Sequence, residues 1–159
     1  MSITRRQRED IVLASRACLG TLYLWGGDGP PGLDCSGHVQ HCLRVADVAP
    51  WALGFPDQIR MTAQQLYDRC EPMEDADAWP HAGDLAFYGR GPRKIEHVAL
   101  VAQTDSAAVT EVHSASGGDS EHRTLEHAIG TGARLRSFDS VDYRPGFIGF
   151  RRPYLRRAS

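Results

Sequence analysis

The chain has 159 residues, of which 42% are hydrophobic, enough to bury the core of one compact domain. Its 18 basic and 20 acidic residues leave a formal charge of −2, and no basic stripe interleaved with aromatics appears, so nothing points to nucleic acid as a partner. No run approaches a membrane span. The charged start is followed by Ile11-Val12-Leu13-Ala14-Ser15, cut by Arg16 and without a small-residue cleavage site, so no secretory signal is expected and cytoplasmic synthesis is. Four cysteines without paired spacing read as free thiols there.

In chain order, Thr4-Arg5-Arg6-Gln7 has the form of a capping box. Ile11, Ala14 and Cys18 share one face of the helix it opens, which Gly20 ends. The Gly- and Pro-rich stretch Trp25 to Gly32 leads to Asp34-Cys35-Ser36-Gly37, and Val39, Cys42, Leu43 and Ala46 then repeat at helical spacing. Segment 49–57 reads as loop, and Thr62-Ala63-Gln64-Gln65 caps a third helix through Leu66 and Tyr67. From Asp84 the pattern turns to strands at 85–88, 97–101, 109–113 and 147–150, separated by turn-rich segments. Helices followed by an antiparallel meander define an α+β domain with its helices on one side of the sheet.

Cys35 is the candidate nucleophile. It falls in the first turn of its helix, where unpaired N–H groups and the positive dipole end favour a thiolate. Cys18 and Cys42 fall on apolar helix faces, and Cys70 has no motif around it, so these three read as core thiols. His97 at the opening of one strand and His113 at the close of the next are placed to meet at one end of the sheet, completing a Cys/His/His set. In that set His97 holds the thiolate as an ion pair and later protonates the leaving amine, and His113 fixes the tautomer of His97. Tyr23 and Trp25 read as readily as core or groove-lining aromatics as direct participants, and Asp34 as a helix N-cap or a substrate contact or both.

Four blocks in order, Tyr23 to Gly27 with Asp34 to Gly37, Ala82 to Phe87, His97 to Val101, and Val112 to Ala115, resemble the NlpC/P60 family of cell-wall cysteine peptidases over residues 5–152 of a single catalytic domain, 1–159. The resemblance implies a papain-like fold, with the nucleophile at a helix N-terminus packed on an antiparallel sheet. It also implies hydrolysis of peptidoglycan stem peptides between D-glutamate and the following diamino acid. On matching positions it implies Cys35 as nucleophile, His97 as base and acid, and His113 as the orienting group. Tyr23 becomes a donor near the oxyanion, and Asp34 and Ser36 read the free amine of the stem peptide, with Trp25 lining the groove.

No metal or organic cofactor is expected, and the partner is a stem peptide. A bare catalytic domain suits recycling of wall fragments inside the cell, a phage product seated in a tail, or a secreted effector with a cognate inhibitor. An amidase or acyltransferase would use the same residues, and a non-catalytic part of a phage tail would make them incidental.

Other features are weaker. His38 replaces an apolar residue of the family pattern and is expected to face solvent or the groove. His81 stands in place of a common proline. Gly27 to Gly32 formally satisfies a dinucleotide-binding glycine pattern, but its Pro-Pro pair spoils the phosphate turn. His38, His41 and Cys42 lack a second ligand pair for zinc. Glu121-His122 and Glu126-His127 read as solvated, and Arg151 to Arg157 as a basic, frayed tail suited to an anionic polymer.

Overall fold

The computed structural model describes residues 3–29, 31–48, 60–73, 79–106, 108–119 and 121–153. The loop expected at 49–57 and the tail beyond Pro153 lie outside them.

Helix α1 (Arg5–Cys18) starts where the capping box predicts. The Thr4 hydroxyl accepts the Gln7 N–H at 3.1 Å and the Gln7 side chain accepts the Thr4 N–H at 2.8 Å. Helix α3 (Ala63–Arg69) repeats the device with Thr62 and Gln65. Between them runs α2 (Cys35–Val45), capped by the Asp34 carboxylate on the Gly37 N–H. Helix α4 (Leu125–Thr131) follows the third long strand.

The strands are β1 (Leu22–Tyr23), β2 (Asp28–Gly29), β3 (Gly32–Leu33), β4 (Glu71–Pro72), β5 (Leu85–Gly91), β6 (Lys94–Thr104), β7 (Val109–Ser116), β8 (Arg134–Phe138) and β9 (Phe147–Arg152). Among the described residues they form one sheet in the order β2-β3-β1-β8-β7-β6-β5-β9-β4. Strands β5, β6, β7 and β8 are a continuous antiparallel meander, and β9 returns to pair with β5. The architecture is the expected α+β type, with a curled antiparallel sheet.

Two cores lie on opposite faces of the meander. Val98 and Leu100 of β6 join Phe87 and Leu85 of β5 against Ile11, Val39, Leu43 and Leu66 of the three helices. Ala99 and Val101, the intervening residues, join Ala86 and Tyr88 against Phe150, Val109 and Tyr143. Because both faces are covered, β6 reads as an unbroken apolar run rather than an alternating one.

The Gly83-Asp84 turn ties the ends of the chain together. Gly83 has φ +96°, and a Cβ there would lie 3.3 Å from the backbone of Arg8, so glycine meets both the conformation and the close approach. Asp84 is fully buried and accepts from Arg8 at 3.0 Å, from Arg152 at 2.9 Å on each of its two oxygens, and from the His81 N–H at 2.7 Å. This corrects the reading of the basic run as a frayed tail for its first two residues. Arg152 is an ion-pair partner in β9, and Arg151 lies over the Tyr67 ring at 3.8 Å.

Candidate active site

Cys35 is the first residue of α2, as the sequence predicts. The chain can turn so tightly here because residue 37 is glycine: a Cβ on Gly37 would lie 1.8 Å from the Gly27 carbonyl oxygen. The half-buried thiol opens onto a cleft whose walls include Tyr23, Trp25, Ser36, Arg60, His97 and Arg144. Its sulfur receives N–H groups from Ser36 and from Val98, the strand residue next to His97.

Burial works against the expected thiolate. Burial, and then the Asp34 charge, push the Cys35 thiol up from 9.0 to about 11. A helix dipole worth about 0.3–1 kcal/mol cannot offset a shift of that size, since two pKa units correspond to about 2.7 kcal/mol. His97 moves the opposite way, down to about 3, by burial and then by the Arg144 charge. Both shifts run against the ion pair and favour thiol with neutral imidazole.

His97 is held at one nitrogen. Its Nε2 lies 2.8 Å from the Ser114 hydroxyl and 2.8 Å from the Tyr143 hydroxyl, and Tyr143 donates to Ser114 at 2.8 Å. With Tyr143 donating to Ser114, an Nε2–H tautomer satisfies both contacts at once and leaves Nδ1 as a base. Neither Ser114 nor Tyr143 drew attention in the sequence.

His113 does not reach His97. In the β6–β7 register Leu100 is opposite His113, and residues directly opposite share a face. Leu100 faces the helices, whereas His97 lies with Tyr88, its partner in β5, on the other side. Three residues along a strand reverse the face, so His113 points away from the base and its neighbour Ser114 points toward it. His113 instead bonds Ser15 through Nδ1 at 2.7 Å and Glu111 through Nε2 at 3.0 Å. Arg16 holds Glu111 in turn at 2.6 and 3.0 Å.

The same buried network contains His38, which does not face solvent or the groove. It is fully buried, with Nε2 2.8 Å from the Ser15 hydroxyl and Nδ1 without a partner. A one-way chain satisfies the rest: His38 Nε2–H donates to Ser15, Ser15 to His113 Nδ1, and His113 Nε2–H to Glu111. A second proton on His38 would have nowhere to go, and burial pushes this histidine down to about 3.

The remaining predicted residues line the cleft in different states. Asp34 is engaged through both oxygens. One carboxylate oxygen accepts from the Gly37 N–H at 2.8 Å, the Ser36 hydroxyl at 3.3 Å and Arg60, and the other from the Gly26 N–H at 3.0 Å. It is a helix cap and loop tie whose second oxygen carries the single Gly26 bond. Ser36 also accepts from Arg60 at 3.4 Å. Tyr23 is buried, near enough to Cys35 and Asp34 that both charges add to the burial that raises its phenol. Trp25 is 46% exposed on the rim.

His122, read from sequence as solvated, is instead buried. It bonds Asp119 at 3.0 Å and Thr131 at 2.9 Å, sets its ring edge-on to Tyr23 at 5.6 Å, and its carbonyl accepts the Trp25 N–H. It props both aromatics of the cleft wall. Among the described residues no three His, Cys, Asp or Glu side chains group as metal ligands would, and no helix is long and apolar enough to cross a membrane.

A cysteine at the head of a helix laid on a curled antiparallel sheet, sharing a cleft with a strand histidine, defines a papain-like α+β domain. The NlpC/P60 family pattern matches residues 20–152, and the chain belongs to that family. It is 29% identical over 90 residues to a probable endopeptidase p60 of Listeria monocytogenes, covering 57% of this chain but only 16% of that protein. Among solved structures, the peptidoglycan hydrolase RipB of Mycobacterium tuberculosis superposes with a TM-score of 0.61 at 20% identity, over 98% of this chain and 70% of that one. RipD of the same organism, a non-catalytic NlpC/p60 domain protein, superposes with a TM-score of 0.58 at 16% identity, over 94% and 98%. The fold is thus common to hydrolytic and non-catalytic proteins, and side chains must decide between them.

Proposed function

We propose that this chain is a cysteine endopeptidase of peptidoglycan stem peptides, cutting the amide between the γ-carboxyl of D-glutamate and the diamino acid. The observation that carries the reading is Cys35 opening onto the same cleft as His97, whose Nε2 is tied down by two hydroxyls. A domain kept only for binding has no need of an oriented base beside a thiol.

The resting thiol and imidazole are neutral, so the proton moves during attack. As the Cys35 sulfur approaches the carbonyl carbon, its proton passes to His97 Nδ1, and charge builds on the carbonyl oxygen. The Cys35 N–H, unpaired by its place in the first turn, and the Tyr23 phenol are the available donors to that oxygen. Collapse breaks the C–N bond, and the amine leaves with the proton of His97. Water, deprotonated through the same nitrogen, then hydrolyses the thioester and restores the thiol.

The test is mass spectrometry of stem peptides incubated with wild type and with Cys35→Ala. Release of a γ-D-glutamyl fragment by wild type alone is the expected result. Intact stem peptides, together with a thiol-directed acylating probe that labels Cys35, would leave the chemistry in place and reject the substrate. Failure to label would reject the enzyme.

A further inference from the structure

Arg144 is a charge the mechanism above does not use. It follows the short 3-10 turn Val141–Tyr143 and lines the cleft with Cys35 and His97. Its guanidinium is held over the Tyr88 ring at 5.6 Å and hydrogen-bonds the Tyr143 hydroxyl, which in turn bonds the base. The cation is therefore oriented, with only the Tyr143 hydroxyl between it and the catalytic imidazole.

No carboxylate neutralises it among the described residues. The acids of the cleft are engaged elsewhere: Asp34 with Arg60, Asp119 with His122, and Glu96 with Arg90. Arg60, the other cation of the wall, is matched by Asp34. The cleft thus holds a fixed guanidinium beside the reacting atoms with no carboxylate paired to it among the described residues, while Asp34, the acid next to the thiol, is paired with Arg60. A bidentate guanidinium is the side chain best suited to a carboxylate.

We propose that Arg144 binds a free carboxylate of the substrate next to the scissile carbonyl, so that the enzyme selects stem peptides whose D-glutamate α-carboxyl is unamidated. The inference rests on the endopeptidase reading for the identity of the substrate, but the anion site itself does not depend on it. Arg144 also bears on both reacting groups, favouring the thiolate of Cys35 and disfavouring the imidazolium of His97.

Two measurements on the full chain separate the claims. The first compares alkylation of Cys35 by iodoacetate and by iodoacetamide, followed by mass spectrometry of the Cys35 peptide. The ratio of the two rates cancels changes in thiol acidity and reads attraction of an anion alone. In Arg144→Gln the ratio is expected to fall by about 3- to 10-fold at low salt, with most of it restored in Arg144→Lys and the gap narrowing as salt is raised. Equal ratios in wild type and Arg144→Gln would overturn the anion site.

The second compares cleavage of L-alanyl-γ-D-glutamyl-diamino acid with its α-amide. Wild type is expected to favour the free acid about 10-fold in kcat/KM, chiefly through KM, and Arg144→Gln to cut both alike. Equal cleavage of both by wild type would overturn the selectivity while leaving the endopeptidase reading intact. If neither peptide is cut, that reading and the selectivity built on it both fail, and the alkylation ratio still decides the anion site.

Discussion

Ser114 and Tyr143 offer His97 two hydroxyls where one orienting group would suffice, and this redundancy is measurable. His97 is 5% exposed and Ser114 fully buried, so water cannot replace a lost partner without a rearrangement. Removing one hydroxyl leaves Nε2–H bonded to the other and should cost a net hydrogen bond, about 0.5–1.5 kcal/mol, or about 2- to 12-fold in kcat/KM. Removing both strands a buried donor, at about 1–3 kcal/mol beyond the singles, so Ser114→Ala with Tyr143→Phe should lose on the order of 5- to 150-fold more than the product of the two single losses. The assay is kcat/KM on a stem peptide for wild type, both single variants and the double. The pH profile serves as a second readout, because freeing the ring should shift its acid limb, where His97 takes up a proton, whereas a purely structural defect lowers the rate equally at every pH. Strict additivity, or a double variant no slower than Ser114→Ala, would refute the arrangement. His113→Gln is the control: it should lower stability yet keep the kcat of the folded fraction within a few-fold of wild type, and a loss matching His97→Ala would return the orienting role to His113.

Two further outcomes test the frame around the site. His38 titrates at about 3 in the fold and at 6.5 when free, so the unfolded chain takes up the proton first as pH drops. Its contribution is fully present above pH 6.5 and is lost as pH falls toward 3. Between pH 7.5 and 5 this amounts to about 2 kcal/mol, and urea unfolding of His38→Gln should show a pH dependence shallower by that amount; an unchanged dependence would count against the buried neutral histidine. Asp84→Asn should strip the counter-charge from Arg8 and Arg152 at a site with no exposure, costing about 3–5 kcal/mol in thermal or urea unfolding. Adding Arg152→Met should recover part of that loss, and a single variant within 0.5 kcal/mol of wild type would show that the ion triad holds nothing together.

What the sequence made legible depended on how local the cause was. Both capping boxes are four-residue patterns, and the helices begin at them; the long strands announce themselves by apolar runs. Strands β1 to β3 have two residues each and exist only through pairing, and β8 carries arginines at 134 and 136 that mask its single buried position, Leu135. His38 was readable after all. It stands four residues before Cys42 and thus on the same stripe as the apolar face of α2, so helical spacing alone argues burial over exposure.

The third member of the site failed for a different reason. Attention goes to histidine because its chemistry is conspicuous, but which strand residue orients the base depends on side-chain parity across two strands. Neither strand betrays its parity: β6 is apolar on both faces, and Val112 to Ala115 are all buried. A single anchor of register, Leu100 opposite His113, settles it, since counting from that pair puts Ser114 opposite Ala99 on the face of His97. Serine was the less expected residue and the one the pleat requires. A shift of one residue in that register would exchange the two side chains, so the identity of the orienting group rests on the loop that joins β6 to β7 as much as on the residues themselves.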